Sequence, residues 1–224
     1  MICVSIIGKD TGEVLKKAAR AEALADILEI RLDLMDRFCL PHIIGQVKKP
    51  VIATYRSVKE TGKGSADYAT TLRYLKDAVH AGADYVDVEY QIPPGFRDQL
   101  TQNRRQSKII MSCHLPGGTP PLHTLERYLQ NMAGTGADII KIVPLATKME
   151  DNLRVMQLIL KAKEMGVEII AFCMGPFGLI SRIASPILGG YLTFASLDEG
   201  EETGAGQLPA LETKEIWETL NRCA

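Results

Sequence analysis

Titratable side chains stand at or near the ends of several short apolar runs in this sequence. Lys141 lies between Ile140 and Ile142, and partial desolvation by such neighbours favours the neutral amine, the form that attacks ketones. An imine formed there would draw electrons from the adjacent carbon and acidify its protons. His114, which follows the preceding apolar run, could remove such a proton. These residue types therefore predict imine chemistry on a carbonyl compound.

Charged residues occupy alternate positions in two other apolar runs. Because side chains alternate along a strand, Glu29 and Arg31 would share one face of it. Asp87 and Glu89 would likewise share a face, and we interpret them as structural partners. Arg56 follows a third run, and an arginine can hold a carboxylate through its bidentate fork. A buried ion network could explain Glu29 and Arg31, but titratable groups on five successive strands favour catalysis.

The elements that position these residues are eight apolar runs of strand length, most of them rich in valine and isoleucine. The runs cover residues 2–7, 26–32, 51–55, 85–90, 108–112, 139–143, 168–173 and 191–195. Longer segments with helical spacing of apolar residues separate them. Alternation of strands with helices predicts right-handed βαβ units and a parallel sheet.

Several helix boundaries can be proposed from capping residues. Apolar residues at helical spacing over 68–79 predict a helix that ends near Gly82. Thr119, followed by a proline, is the predicted N-cap of another helix, and Thr147 with Glu150 forms a capping-box pattern before a third. Two further helical segments are predicted at 176–188 and 211–220.

Eight such units in 224 residues predict an α/β fold, the (β/α)8 or TIM barrel, with residues 1–224 as a single domain. An open doubly wound sheet is the structural alternative. That fold usually has a glycine-rich turn of the GxGxxG type after its first strand, whereas the turn at 8–12 has a different spacing. In a TIM barrel, polar residues at the carboxyl ends of the strands typically form the active site.

The composition restricts the classes of partner. Lysine and arginine total 26 against 27 acidic residues, a formal net charge of −1. This balance argues against a general electrostatic interaction with nucleic acid or an anionic membrane. No apolar run reaches the length of about 18 residues that a membrane span needs, and the first residues do not resemble a signal peptide. We therefore expect a small-molecule substrate and a cytoplasmic location.

The cysteines and histidines are too scattered in the sequence to predict a metal site. The five cysteines are odd in number and no two lie close together, while the four histidines form no HxH or HExxH spacing. Reduced thiols fit this arrangement better than a disulfide framework. The sequence predicts no metal.

Short motifs that include these residues occur in an order known from one enzyme family. The segments are Glu29-Ile30-Arg31-Leu32-Asp33, Thr54-Tyr55-Arg56-Ser57 with Glu60, Asp87-Val88-Glu89, Ser112-Cys113-His114, Lys141-Ile142, Met174-Gly175 with Ser181-Arg182, and Thr193-Phe194-Ala195 with Gly206-Gln207. Over nearly its whole length the chain resembles the type I 3-dehydroquinate dehydratases of the shikimate pathway. The resemblance implies a TIM barrel that needs no cofactor, and it makes a homodimer plausible.

The resemblance also implies a role for each site residue. Lys141 would form an imine with the C3 ketone of 3-dehydroquinate, and His114 would move protons between C2 and the departing C1 hydroxyl. Glu60 would orient or tune His114, and Arg182 would hold the substrate carboxylate. The remaining substrate-binding residues would contact hydroxyls, the carboxylate or one another; they are Glu29, Arg31, Arg56, Thr203 and Gln207.

The chain departs from the family pattern in three places. Leu115 and Pro116 follow His114, where the family has a polar or acidic residue and then an aromatic one. Thr61 replaces the first of two glycines that follow the family's glutamate. The segment 203–207 lacks the family's proline, which is expected to loosen that closing loop.

Two alternatives remain open from the sequence. A different imine-forming barrel, such as a class I aldolase, would use Lys141 equally well. Such enzymes often bind phosphate, which the four acidic residues within 198–202 would repel. The other alternative is a catalytically silent barrel that serves as a binding or scaffold protein.

Overall fold

A computed structural model describes residues 1–222 of the chain. Within these residues, eight parallel strands alternate with helices and form a nearly closed barrel, which confirms the predicted TIM barrel. The strands are β1 (Ile2–Ile6), β2 (Ile27–Arg31), β3 (Val51–Thr54), β4 (Tyr85–Glu89), β5 (Lys108–Leu115), β6 (Ile139–Pro144), β7 (Ile169–Ala171) and β8 (Thr193–Ser196). Each strand from β1 to β6 pairs with the next, and β8 pairs with β1.

The barrel has a seam between β7 and β8. In the described part of the chain these two strands form no ladder with each other. A backbone hydrogen bond, donated by the Tyr191 N–H to the Ile169 carbonyl at 2.7 Å, crosses the gap at one end. The strand β7 is also short, with three residues.

Eight helices follow the strands in residues 1–222. They are α1 (Thr11–Ala21), α2 (Leu40–Gln46), α3 (Tyr68–Ala81), α4 (Pro94–Gln102), α5 (Leu122–Ala133), α6 (Asp151–Glu164), α7 (Leu179–Ala184) and α8 (Ala210–Arg222). The predicted end of α3 is confirmed, because Gly82 caps it with a φ of 94°. The segment predicted at 176–188 forms only the six-residue α7, preceded by a 3-10 turn at Pro176–Gly178.

Two predicted helix starts are wrong, because the capping hydroxyls have other partners. Thr119 does not cap α5, which begins at Leu122; its hydroxyl donates to the Leu145 carbonyl at 2.8 Å. Thr147 does not cap α6 either. Its N–H and its hydroxyl donate to the Asp151 carboxylate at 2.8 and 3.0 Å. Asp151 is the first residue of α6, so its side chain binds the turn that precedes the helix. Short polar side chains such as threonine can form hydrogen bonds with other nearby groups instead of capping a helix.

The barrel interior changes from apolar to polar along its axis. Along the four strands β2 to β5, a buried apolar residue is followed at alternate positions by two buried polar ones, of which the last in β3 lies just beyond the strand. In strand order these triplets are Ile27, Glu29, Arg31; Ile52, Thr54, Arg56; Tyr85, Asp87, Glu89; and Ile110, Ser112, His114. The apolar residues of these triplets form the floor of the barrel interior. The polar residues form a layer above it at the carboxyl ends of the strands, where this fold places active sites.

Four of the five cysteines lie in the described part of the chain. Cys3, Cys113 and Cys173 are buried free thiols, and Cys39 is an exposed one. Cys223, which the thiol prediction also covered, lies outside the described residues.

Among the helices of residues 1–222, none combines the length and the apolar character that crossing a bilayer requires.

Candidate active site

One cavity of about 440 Å³ opens at the carboxyl ends of the strands. All nine residues that the sequence singled out for the site line it: Glu29, Arg31, Arg56, Glu60, His114, Lys141, Arg182, Thr203 and Gln207. The rest of the lining consists of Thr61, Val143, Phe172, Met174, Phe194 and Gly204. The fold therefore brings together residues that are up to 178 positions apart in the chain.

Lys141 lies in the middle of β6 and is 4% exposed. Its Nζ is 3.0 Å from Asp87 Oδ2 and 4.1 Å from the centre of the Phe194 ring. Burial would raise the pKa of Asp87, but the charges of Arg56 and Lys141 outweigh burial and hold that pKa well below its usual range. Asp87 is therefore a carboxylate paired with both Arg56 and Lys141, in agreement with its interpretation as a structural partner.

Arg56 joins the acidic residues around the cavity. Its Nη2 lies 2.7 Å from Asp87 Oδ1, and its Nη1 donates to Ser112 Oγ at 2.8 Å and to Glu60 Oε2 at 3.2 Å. The same Nη1 lies 3.4 Å from Glu89 Oε1. Burial would lower the pKa of this guanidinium, but the surrounding carboxylates raise it above its ordinary value. Arg56 therefore remains a cation that compensates several buried acids.

His114 is held by Glu60 from two directions. Glu60 Oε2 accepts from the His114 backbone N–H at 3.1 Å and lies 2.9 Å from the ring Nδ1. Burial, together with the charges of Arg56 and Lys141, lowers the pKa of His114 well below its ordinary value, so the ring is neutral. Oε2 already accepts from the His114 backbone N–H and from Arg56, so it also accepts from Nδ1–H whether or not Glu60 carries a proton on Oε1, and Nε2 is left as the proton acceptor.

Glu60 itself is fully buried, and its Oε1 has no hydrogen-bond partner among the described residues. Burial raises the pKa of Glu60 from 4.5 to about 8, although the charge of Arg56 opposes the change. The folded protein thus keeps a proton on Glu60 in a pH range where the unfolded chain has released it. Stability contributed by this group is lost as the pH rises from about 4.5 to about 8.

Replacing Glu60 with glutamine is expected to remove this pH dependence, because glutamine does not titrate. Relative to the variant, the wild-type free energy of unfolding should fall by up to about 1.4 kcal/mol per pH unit between about pH 5 and pH 8. Urea denaturation of both proteins across that range measures the difference. A difference between the two proteins that is constant with pH would contradict the raised pKa.

Arg182, in α7, is a buried cation without a carboxylate partner among the described residues. It is 4% exposed, its Nη2 donates to the Ala205 carbonyl at 2.9 Å, and its Nε has no hydrogen-bond partner. Its guanidinium carbon lies 4.5 Å from the centre of the Phe172 ring. Burial lowers the pKa of Arg182 to about 10. A buried guanidinium in this state can pair with an anionic ligand.

Glu29 and Arg31 are each fixed by neighbours rather than by each other. Glu29 accepts from the Ser5 hydroxyl at 2.6 Å and from the Thr54 hydroxyl at 2.8 Å. Arg31 makes a bidentate pair with Asp33 at 2.9 and 2.8 Å. The mutual ion pair considered from the sequence is therefore not the arrangement found, and both side chains are held at the wall of the cavity.

The loop 203–207 covers one side of the cavity. Gln207 Oε1 accepts from the Thr203 N–H at 2.7 Å and from the Gly204 N–H at 3.3 Å. The Ala205 carbonyl accepts from Arg182 and from the Gly175 N–H, the latter at 2.9 Å. These bonds fix the loop in the conformation described here, and a looser loop than in relatives stays a prediction.

Two lining residues and one neighbour of Lys141 have positions that the strand pattern could have indicated. Phe172 and Phe194 lie under the cations of Arg182 and Lys141. Both belong to the apolar runs predicted as strands seven and eight, at positions where an inward side chain was possible. An aromatic ring below a cation stabilises it in a site that excludes water. Asp87 was visible as an inward residue of β4, but its contact with Lys141 depends on the three-dimensional arrangement.

Comparison with known proteins gives a consistent result. The family model for type I 3-dehydroquinase matches residues 2–222. A 3-dehydroquinate dehydratase from Desulfotalea psychrophila is 33% identical over 218 residues, which is 96% of each chain. The structure resembles that of a type I 3-dehydroquinate dehydratase from Clostridium difficile with covalently modified comenic acid. That similarity has a TM-score of 0.86 at 26% identity and covers 100% of this chain and 92% of the other. With nearly every residue matched, the chain belongs to the type I 3-dehydroquinase family.

Proposed function

We propose that this enzyme dehydrates 3-dehydroquinate to 3-dehydroshikimate, the third step of the shikimate pathway, through an imine on Lys141. The observation that carries the proposal is the meeting of Lys141, His114 and Arg182 at one cavity. These supply an amine for the ketone, a neutral base for the adjacent carbon and a cation for the carboxylate. The names of the relatives support the substrate, and the covalently modified ligand of the Clostridium difficile relative supports covalent chemistry.

The reaction begins at the C3 ketone. Lys141 Nζ attacks it, and loss of water from the carbinolamine gives an imine whose nitrogen carries a positive charge. The Asp87 carboxylate, 3.0 Å from Nζ, stabilises that charge. The cationic imine withdraws electrons and acidifies the protons at C2. The remaining steps need a base that can reach C2.

His114 supplies the base because of its position relative to Lys141. Ser112 pairs with Lys141 across β5 and β6, and His114 follows two residues later on the same face. Its Nε2 removes the C2 proton to give an enamine. The protonated ring then donates to the C1 hydroxyl, which leaves as water. A second water hydrolyses the imine, releases 3-dehydroshikimate and restores the amine, so no cofactor is needed.

We assign the binding of the substrate's ring, with its carboxylate and hydroxyls, to the remaining residues of the cavity wall. Arg182 holds the carboxylate, since among the buried cations that line the cavity it is the one without an acidic partner in residues 1–222. The hydroxyls and the rest of the ring are contacted by Glu29, Arg31, Arg56, Thr203 and Gln207.

Arg182→Lys is expected to raise KM for 3-dehydroquinate by about tenfold, and Arg182→Ala by about a hundredfold. Lysine keeps the charge but loses the bidentate fork, and alanine loses both. Steady-state kinetics of the two variants and the wild type measure the effect. If KM is unchanged in both variants, the carboxylate binds elsewhere, and Arg31 or Arg56 would be the next residues to change.

The proposed reaction is tested directly by incubating the wild-type protein with 3-dehydroquinate. The product contains a conjugated enone, so ultraviolet absorbance should rise with time. Cleavage of a carbon–carbon bond without this absorbance would indicate an aldolase instead. Binding without either reaction would indicate a silent barrel.

We also propose that the chain is one catalytic domain over residues 1–224 that works as a homodimer in the cytoplasm. Support for a dimer comes from exposed apolar side chains on α6 and α7, which include Leu153, Leu160 and Ile180. Support for the cytoplasm comes from the free thiols, since reducing compartments keep cysteines in that state.

A further inference from the structure

Thr61 adopts an unusual backbone conformation directly after Glu60. Its φ of 69° and ψ of 15° lie in the left-handed region. Residues branched at Cβ rarely occupy this region, because the side chain crowds the backbone. Such strain persists where the surrounding structure determines it, often at a functional site. Here the turn is fixed by backbone hydrogen bonds from Thr61 to the Val58 carbonyl at 3.3 Å and from Gly62 to the Ser57 carbonyl at 2.8 Å.

The side chain of Thr61 is fixed as well. Its hydroxyl donates to the carbonyl of Glu60 at 2.6 Å. The backbone of the turn packs closely against Arg56, since a Cβ added at Gly62 would collide with the Arg56 carbonyl oxygen. Thr61 is therefore a small, branched and rigid side chain at the rim of the cavity.

A second cleft adjoins the catalytic cavity at this rim. It is open, measures about 780 Å³ and is lined mainly by apolar residues, which include Pro116, Leu145 and Ala205. The catalytic cavity, by contrast, is lined mainly by charged and polar residues. Four residues border both spaces: Thr61, Met174, Thr203 and Gly204.

We propose that Thr61 is a specificity-determining residue that separates the catalytic cavity from this apolar cleft. Among the four border residues, Gly204 has no side chain, and Met174 is unbranched and can adapt to a ligand. Thr203 is branched too, but its loop is held through the side chain of Gln207. Thr61 is held by the backbone bonds of its own turn and by its hydroxyl, and it restricts ligands to polar rings without an apolar substituent. Because such a ring is the substrate proposed above, this assignment rests on the proposed function.

The test replaces Thr61 with glycine, which removes the side chain and adopts a φ of 69° without strain. The melting temperature should rise by about 2–4 °C, as expected when strain is relieved. A residue with a purely structural role would not combine higher stability with altered selectivity. Arg105→Gly is the matched control, because Arg105 is the other non-glycine residue with positive φ among those described, at 51°. It is exposed and precedes β5, at the opposite end of the barrel.

Selectivity is measured by calorimetric titration with quinic acid and its three mono-O-benzyl ethers at the secondary hydroxyls. The wild type and Arg105→Gly should bind quinic acid at least about tenfold more tightly than every ether. Thr61→Gly should bind at least one ether within about twofold of quinic acid, because the benzyl group can enter the apolar cleft.

Four outcomes would overturn the assignment. They are unchanged discrimination by Thr61→Gly, the same gain in Arg105→Gly, a wild type that binds an ether as well as quinic acid, and a wild type that does not bind quinic acid at all. These binding results are separate from turnover of 3-dehydroquinate by the wild type, which tests the proposed function alone.

Discussion

Lys141→Met is expected to lower kcat for 3-dehydroquinate by at least about 10⁴, because methionine offers no amine with which to form the imine. Methionine keeps most of the length of lysine, and Asp87 retains its ion pair with Arg56 in the variant. The fold should therefore persist, which thermal denaturation can verify. Turnover within about tenfold of the wild type would show that the reaction does not pass through this amine.

Borohydride reduction tests the same assignment without a rate measurement. In the wild type, reduction in the presence of 3-dehydroquinate should leave a stable adduct on the peptide that contains Lys141, and Lys141→Met should leave none. Lys108→Met is the control, since Lys108 is exposed at the amino end of β5, whereas the cavity lies at the carboxyl ends of the strands. It should react as the wild type does. An adduct on any other lysine would contradict the assignment.

His114→Ala is expected to form the imine and yet to lose dehydration by a factor of about 10² to 10⁴. The amine remains available, but no group is left to transfer the proton from C2 to the departing hydroxyl. Borohydride trapping should therefore still label the variant, while the rise in enone absorbance slows. The combination separates proton transfer from imine formation, which a general loss of structure would not do.

His123→Ala provides the matched control for this variant. His123 is exposed on α5, outside the cavity lining. Its replacement should change neither trapping nor turnover. If His114→Ala dehydrates at a nearly normal rate, Nε2 of His114 is not the base. If it fails to form the imine, His114 acts before proton transfer.

The sequence predicted the barrel well because the fold depends on features with a simple period. Apolar runs of strand length alternate with helical segments, and inward positions recur every second residue. The polar residues at the strand ends, such as Lys141 and His114, were recognisable because a charge on an inward face needs a partner or a use. Glu29, Arg31, Arg56, His114 and Lys141 were recognisable on this ground. The family resemblance supplied Glu60, Arg182, Thr203 and Gln207, and all nine residues line one cavity.

The features that the sequence did not reveal depend on competition between hydrogen-bond partners or on contacts between residues far apart in the chain. Thr119 and Thr147 have the residue type of a helix cap, but other groups nearby bind their hydroxyls. Asp87 was identified as inward, yet its contact with Lys141 spans 54 positions in the chain and two strand pairings. The lack of an acidic partner for Arg182 among the described residues depends on where every acidic residue lies. Such facts follow from the assembled structure and not from a local pattern.

The seam between β7 and β8 gives the barrel one direction in which it can open at low cost. Separation of any other neighbouring strands must break a ladder of backbone hydrogen bonds, whereas these two share no ladder in the described residues. Local opening of a protein follows the boundaries that have the fewest such bonds. Phe172 and Arg182 follow β7, and Phe194 belongs to β8. The side of the cavity to which we assign the substrate carboxylate is thus built on the least restrained boundary, while the residues assigned to the covalent chemistry stand on the fully laddered strands β5 and β6.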